Sequence, residues 1–92
     1  MTDIPLASRE GLRLDISEAF GKALRQRRKE LGLTQEQLAH EADIQRNYVS
    51  LIERGINQPT ITVIFKLATA MNCPPAQLVM MTEEYVKNNK KN

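Results

Sequence analysis

Residues 34–55, TQEQLAHEADIQRNYVSLIERG, restrict the possible folds of this chain more than any other stretch, because they read as two short helices joined by a sharp reversal. The first helix carries a start signal. Thr34 is placed to accept from the backbone N–H three residues on, and Gln37 to reach back to the cap, so the helix is predicted to begin at Gln35. Leu38, Ala39 and Ala42 recur at helical spacing and form its apolar side, while Glu36, His40 and Glu41 form its wet side. Asp43 ends the pattern. It tolerates left-handed backbone and bonds its own main chain, which a reversal within three or four residues requires.

The second helix is predicted over residues 45–54, with Gly55 where a left-handed cap is wanted. Val49, Ile52 and Glu53 share one side; Asn47, Ser50, Leu51 and Arg54 share the other. A short helix with a polar, hydrogen-bonding and basic outer face suits the major groove of DNA, which is wide enough for one helix. The rival reading is plain solvated surface, the usual fate of a polar helix face.

What packs on the inner face comes from the rest of the chain. A first helix is predicted from Asp15 or Ser17 to Leu31, with Asp15 and Glu18 in capping relation and Gly32 as its stop. Phe20, Leu24 and Leu31 mark its buried stripe, yet Arg28 falls on the same face. A guanidinium there needs a carboxylate, because an unpaired buried charge costs several kcal/mol. Glu53, on the inner side of the second motif helix, is the natural partner, which makes Arg28 and Glu53 scaffold rather than site.

After Gly55, Ile56 is expected to fold back into the core, with Asn57, Gln58 and Thr60 forming a polar loop that Pro59 stiffens. Thr60 caps a fourth helix over residues 61–71, whose stripe is Ile61, Ile64, Leu67, Ala68 and Met71. Asn72 takes the place where Gly is usual, and Pro74 and Pro75 open a fifth helix. Beyond Leu78, that helix carries Val79, Met81, Tyr85 and Val86 with no obvious core left to cover, so these are expected to form a two-fold dimer interface. The domain is drawn over residues 16–87, between an arm at residues 1–15, which holds Pro5 and Gly11, and a polar tail at residues 88–92; from Lys87 on, the KNNKKN end is expected to fray.

Composition narrows the function. A chain of 92 residues with 41% hydrophobic and 26% charged residues is one small soluble domain, neither disordered nor large enough for a second unit. The net charge of +2 requires any nucleic-acid footprint to come from local clustering. Lys22, Arg25, Arg27, Arg28 and Lys29 cluster within reach of flanking phosphates, but such charge runs are usually solvated faces, so the cluster is set outside the site. No apolar run approaches 18 residues and the first residues lack the basic-then-apolar layout of a signal peptide, so a cytoplasmic location and no membrane partner are expected. Cys73 has no disulfide partner and only His40 as a nitrogen ligand nearby in type, so no metal and no cofactor is expected. No nucleophile–base pair and no glycine-rich phosphate loop stands out, so no enzyme is expected.

The runs LGLTQEQLA, ADIQRNYVSLIERG and P-T-I-x-x-x-x-K-L-A resemble the helix-turn-helix domain of the Cro/C1 phage-repressor (XRE) family, over about residues 20–78. The resemblance implies an all-α, compact five-helix, lambda-repressor-like DNA-binding domain, in which an Arg–Glu pair like Arg28–Glu53 recurs. It further implies that the first motif helix crosses the DNA backbone while the second presents its N-terminal residues to base edges. Carried over residue by residue, Arg46 and Asn47 lead as base readers, with Gln45 and Ser50 behind them; Arg46 has phosphate binding as its alternative. Gln35, at a helix start with free N–H donors, resembles the family's phosphate contact. Tyr48, Arg54, Asn57 and Thr60 are second-rank phosphate contacts by position, with packing between helices as the alternative for Tyr48. Leu51 either touches a thymine methyl or is ordinary surface.

The chain is therefore expected to be a sequence-specific transcriptional regulator that binds double-stranded DNA as a homodimer on an inverted repeat. The competing reading is an antitoxin, which would bind both a toxin protein and its own promoter. Within the regulator reading, a stand-alone module resembles phage-type repressors and the controller proteins of restriction–modification systems, with no small-molecule effector expected. Activation and repression look alike here, because the sign depends on where the operator lies relative to the polymerase.

Overall fold

The computed structural model describes the backbone of residues 16–90 and the side chains of residues 16–88. The arm over residues 1–15, with the cap expected at Asp15, lies outside the described residues. The helices are α1 (Ile16–Glu30), α2 (Gln35–Ala42), α3 (Arg46–Glu53), α4 (Ile61–Ala70) and α5 (Pro75–Lys90), and among the described residues there is no strand.

Their ends are set by local chemistry. Thr34 Oγ1 accepts from Gln37 N at 3.0 Å and Gln37 Oε1 accepts from Thr34 N at 2.9 Å, a complete capping box that starts α2 at Gln35. Thr60 Oγ1 accepts from Val63 N at 3.2 Å and starts α4. At the other ends stand left-handed residues, Gly32 (φ 72°), Asp43 (φ 58°), Gly55 (φ 76°) and Asn72 (φ 55°). Each is followed by an N–H that returns five positions: Leu33 to Arg28 O, Ile44 to Ala39 O, Ile56 to Leu51 O and Cys73 to Ala68 O, at 2.9 to 3.1 Å. This is the Schellman closure, which satisfies carbonyls that the helix itself leaves open.

The core gathers one stripe from each helix: Phe20 and Leu24 of α1, Leu38, Ala39 and Ala42 of α2, Val49 and Ile52 of α3, Leu67 and Ala68 of α4, Leu78 of α5, and Met71 at the α4 cap. Phe20 and Leu24 occupy the α1 positions expected of them, whereas Leu31 is 41% exposed. The reason is that α1 ends at Glu30 and Leu31 enters the Gly32 turn. Ile56 is 61% exposed rather than folded into the core, because the left-handed turn at Gly55 leads the chain away once the Ile56 N–H has closed on Leu51 O. Ile61 is 68% exposed, since the first turn of α4 precedes the part of the helix that is buried, at Leu67 and Ala68.

α1 and α3 approach so closely that a Cβ on Gly21 would lie 2.5 Å from Ile52 O and 2.6 Å from Glu53 O. α5 packs along α1. Tyr85 Oη donates to Gln26 Oε1 at 2.6 Å, and Met81 lies half-buried against the core. The expectation that Met81 and Tyr85 have no partner within the chain is thus corrected, because α5 shares that side with Leu78 and buried Thr82 against α1. The helix also runs through Lys87 to Lys90, into the stretch expected to fray, as no Gly or Pro interrupts it. No helix among the described residues is long and apolar enough to cross a membrane.

Candidate nucleic-acid interface

Glu53 is the hinge of the site. Its Oε2 accepts from Arg28 Nε at 2.6 Å and its Oε1 from Arg28 Nη2 at 2.9 Å, a bidentate pair with side chains only 3% (Glu53) and 10% (Arg28) exposed. Arg28 Nη1 donates to Leu33 O at 2.8 Å, so one guanidinium joins α1, the α1–α2 turn and α3. The hydrogen bond to Glu53, opposed by desolvation and helped by the Glu53 charge, holds the Arg28 pKa above the ordinary guanidinium value. A raised folded-state pKa gives stability that is fully present below the unfolded value and is lost only as pH rises through the folded one. The Arg28 contribution is therefore fully present around neutrality. The predicted Arg28–Glu53 contact is present as expected.

Gln35 is half-buried at the first position of α2, and its Nε2 donates to Glu53 Oε1 at 3.0 Å. Sequence reading placed Gln35 at this helix start but did not foresee the tie to Glu53, which is invisible until the two helices cross.

α3 begins one residue later than expected. Gln45 is its N-cap, exposed and in extended conformation with no side-chain bond to the helix, while Arg46 and Asn47 occupy the first turn. Both are exposed, and among the described residues neither has an intramolecular side-chain partner. Ser50 and Leu51 are half-buried, so Leu51 is less outward than its position suggested. Arg54 is the exposed C-cap, Asn57 is half-buried, and Tyr48 is half-buried against the core. Thr60 is exposed, and its hydroxyl, having accepted from Val63 N, keeps its O–H as a donor.

Arg46, Gln35, Thr34 and Glu36 line an open depression of about 520 Å³ together with Arg28, Lys29, Gly32 and Leu33. The N-terminus of α2 faces into it, and such ends combine free N–H donors with the positive end of the helix dipole. Lys29 is exposed on this rim. Sequence reading set the whole Lys22 to Lys29 cluster aside as solvated. The available signal was adjacency to Arg28, whose pairing fixes where Lys29 must emerge. Arg27, by contrast, turns inward and donates to Met71 O at 3.3 Å, at the C-terminal cap of α4.

Two short helices at a tight reversal, the second pinned by its inner face and bare on its outer one, define a helix-turn-helix protein. A family model described as helix-turn-helix matches residues 24–78, and the chain belongs to this family, of the Cro/C1 type, a family of DNA-binding transcription regulators. The chain is 38% identical over 64 residues to the control protein C.BamHI of Bacillus amyloliquefaciens, covering 68% of this chain and 79% of that one. The restriction–modification controller protein C.AhdI from Aeromonas hydrophila superposes with a TM-score of 0.67 at 40% identity, over 67% of this chain and 94% of that one. A structure of the C.Esp1396I controller tetramer in complex with its natural 35 base-pair operator shares the fold at 24% identity and a TM-score of 0.71, over 77% of this chain and 93% of that one.

Proposed function

We propose that this regulator binds double-stranded operator DNA in a sequence-specific manner, as a homodimer on an inverted repeat, with α3 in the major groove. The observation that carries the reading is the exposed, unpartnered pair Arg46–Asn47 on the first turn of α3, beside the open N-terminus of α2. Arg46 offers two donors to guanine O6 and N7, and Asn47 pairs both ways with adenine. Gln45 and Ser50 flank them at the base edges. Gln35 takes a phosphate, with Tyr48, Arg54, Asn57 and Thr60 around the groove.

The similarity to C.BamHI and C.AhdI supports the controller type among such regulators, and it favours that reading over an antitoxin. Val79, 48% exposed, and Met80, 60% exposed, support the dimer, with Val86, Met81 and Tyr85 at the margin of the contact. Control then follows concentration through dimerisation, without a small-molecule effector.

Selection of bound sequences from random duplex DNA tests the whole reading. The expected outcome is an inverted repeat with half-sites about 34 Å apart. Arg46→Ala is expected to lose about 1–3 kcal/mol of discrimination at one position per half-site. A selected site without a dyad removes the dimer, and an unchanged base preference in Arg46→Ala reassigns that side chain to the backbone.

A further inference from the structure

We propose that Glu53 is a positioning residue for the DNA-backbone contact made by Gln35, an inference that rests on the function proposed above. The carboxylate rides on α3 and bonds α1 through Arg28, and its Oε1 also accepts from Gln35 Nε2 at 3.0 Å. An ion-paired carboxylate only accepts, so it fixes which end of the Gln35 amide faces inward. The NH₂ group turns to Glu53. Its second hydrogen and the Gln35 backbone N–H, which no helical carbonyl precedes, stay available for an anion.

A bare carboxylate at this place would repel phosphate. The bidentate Arg28 guanidinium cancels that charge, so Glu53 serves as an anchor without a net field toward the DNA. An unanchored glutamine has to lose its rotamer freedom when it grips a phosphate, and Glu53 removes that freedom before DNA arrives. The ion pair that locks the scaffold thereby also sets affinity, without touching base choice. Because Glu53 closes α3 and Gln35 opens α2, this contact also fixes the backbone-binding end of one helix relative to the base-reading helix.

The test is a double-mutant cycle on affinity for the selected operator. Removing Glu53 alone would strand the Arg28 charge, so both members are replaced together, Arg28→Met with Glu53→Met, which leaves no buried charge behind. The pair replacement and Gln35→Ala are made singly and combined. The pair replacement is expected to weaken binding about 3- to 10-fold, with the ranking of operator base substitutions unchanged and with the loss falling below about twofold in the Gln35→Ala background. Equal losses in both backgrounds, or no loss, overturn the role of Glu53 and leave the DNA-binding reading standing. Failure of the unaltered chain to bind any duplex overturns both. Relaxation of the Gln35 side-chain amide in the unaltered, DNA-free protein needs no substitution: order approaching that of the backbone is expected, and a freely rotating amide overturns the proposal.

Discussion

A methyl group on Gly21 has nowhere to go, since both nearest atoms are backbone carbonyl oxygens of α3 and neither can rotate aside. Gly21→Ala should therefore push α3 off α1 and cost about 1–3 kcal/mol or more, read as a drop in urea midpoint at unchanged slope. Glu53 has the opposite vulnerability, being a large group whose removal leaves a charge. Glu53→Ala strands Arg28, 8% exposed, with Leu33 O as its remaining acceptor, and is expected to cost about 3–5 kcal/mol by thermal or urea unfolding. A Glu53→Ala variant of unaltered stability would end the scaffold assignment. Gly21→Ala should weaken DNA binding only in proportion to the folded fraction lost, whereas Glu53→Ala should weaken it further, since it also frees the Gln35 amide.

The helices owe their lengths to their ends more than to their middles. α2 and α3 are each 8 residues, too short to persist alone in water. α2 holds because it is closed at both ends and buried on one side, and α3, whose N-cap Gln45 makes no side-chain bond, because Val49 and Ile52 are buried and the Gly55 turn closes its C-terminus. The left-handed closures are not equally comfortable. Gly32 and Gly55 meet the backbone requirement at no steric cost, while Asp43 and Asn72 hold a Cβ in the same region. Asn72 is exposed, and Asn72→Gly is expected to raise stability by about 0.5–1 kcal/mol, seen as a higher melting temperature with the fold unchanged. A lowered melting temperature would mean that the Asn72 side chain contributes to the α4–α5 turn. At Gly55 the reverse substitution should fail twice over, by its φ of 76° and by a Cβ placed 2.7 Å from Glu18 Cγ.

At the scale of the molecule, α5 divides its apolar residues between two jobs. Leu78, Met81 and Tyr85 close the domain against α1 and the core, while Val79 and Met80 remain at the surface. Val79 stands with Ile16, Phe20, Pro59 and Ile64 around a shallow apolar crevice of about 150 Å³, so the exposed part of α5 continues onto α1 and the α3–α4 loop. Charged substitutions there, Val79→Glu with Met80→Glu, are expected to shift the sedimentation coefficient to that of a monomer and to weaken operator binding, with thermal stability of the monomer retained. A dimer that survives both changes places the two-fold contact elsewhere.

The order of helices, the capping box at Thr34, the reversals at Asp43 and Gly55 and the opening of α4 at Thr60 were all legible in the chain, because each depends on residues within five positions of one another. So was the Arg28–Glu53 pair, since a charge on an apolar stripe has to be answered and one carboxylate faced it. Side-chain fates at the margins were not legible. Ile56, Ile61 and Leu31 are apolar and in or near helical register, yet they lie past the edge of what the neighbouring helices cover, and only the crossing of those helices sets that edge. The same holds for Met81 and Tyr85, whose partner is α1, and for Gln35, whose amide meets Glu53 only once α2 and α3 have docked. Local chemistry determined where α2 and α4 begin and where the left-handed turns stop the helices before them; the tertiary structure decided which face each helix spends, because burial belongs to pairs of elements and is written in neither alone.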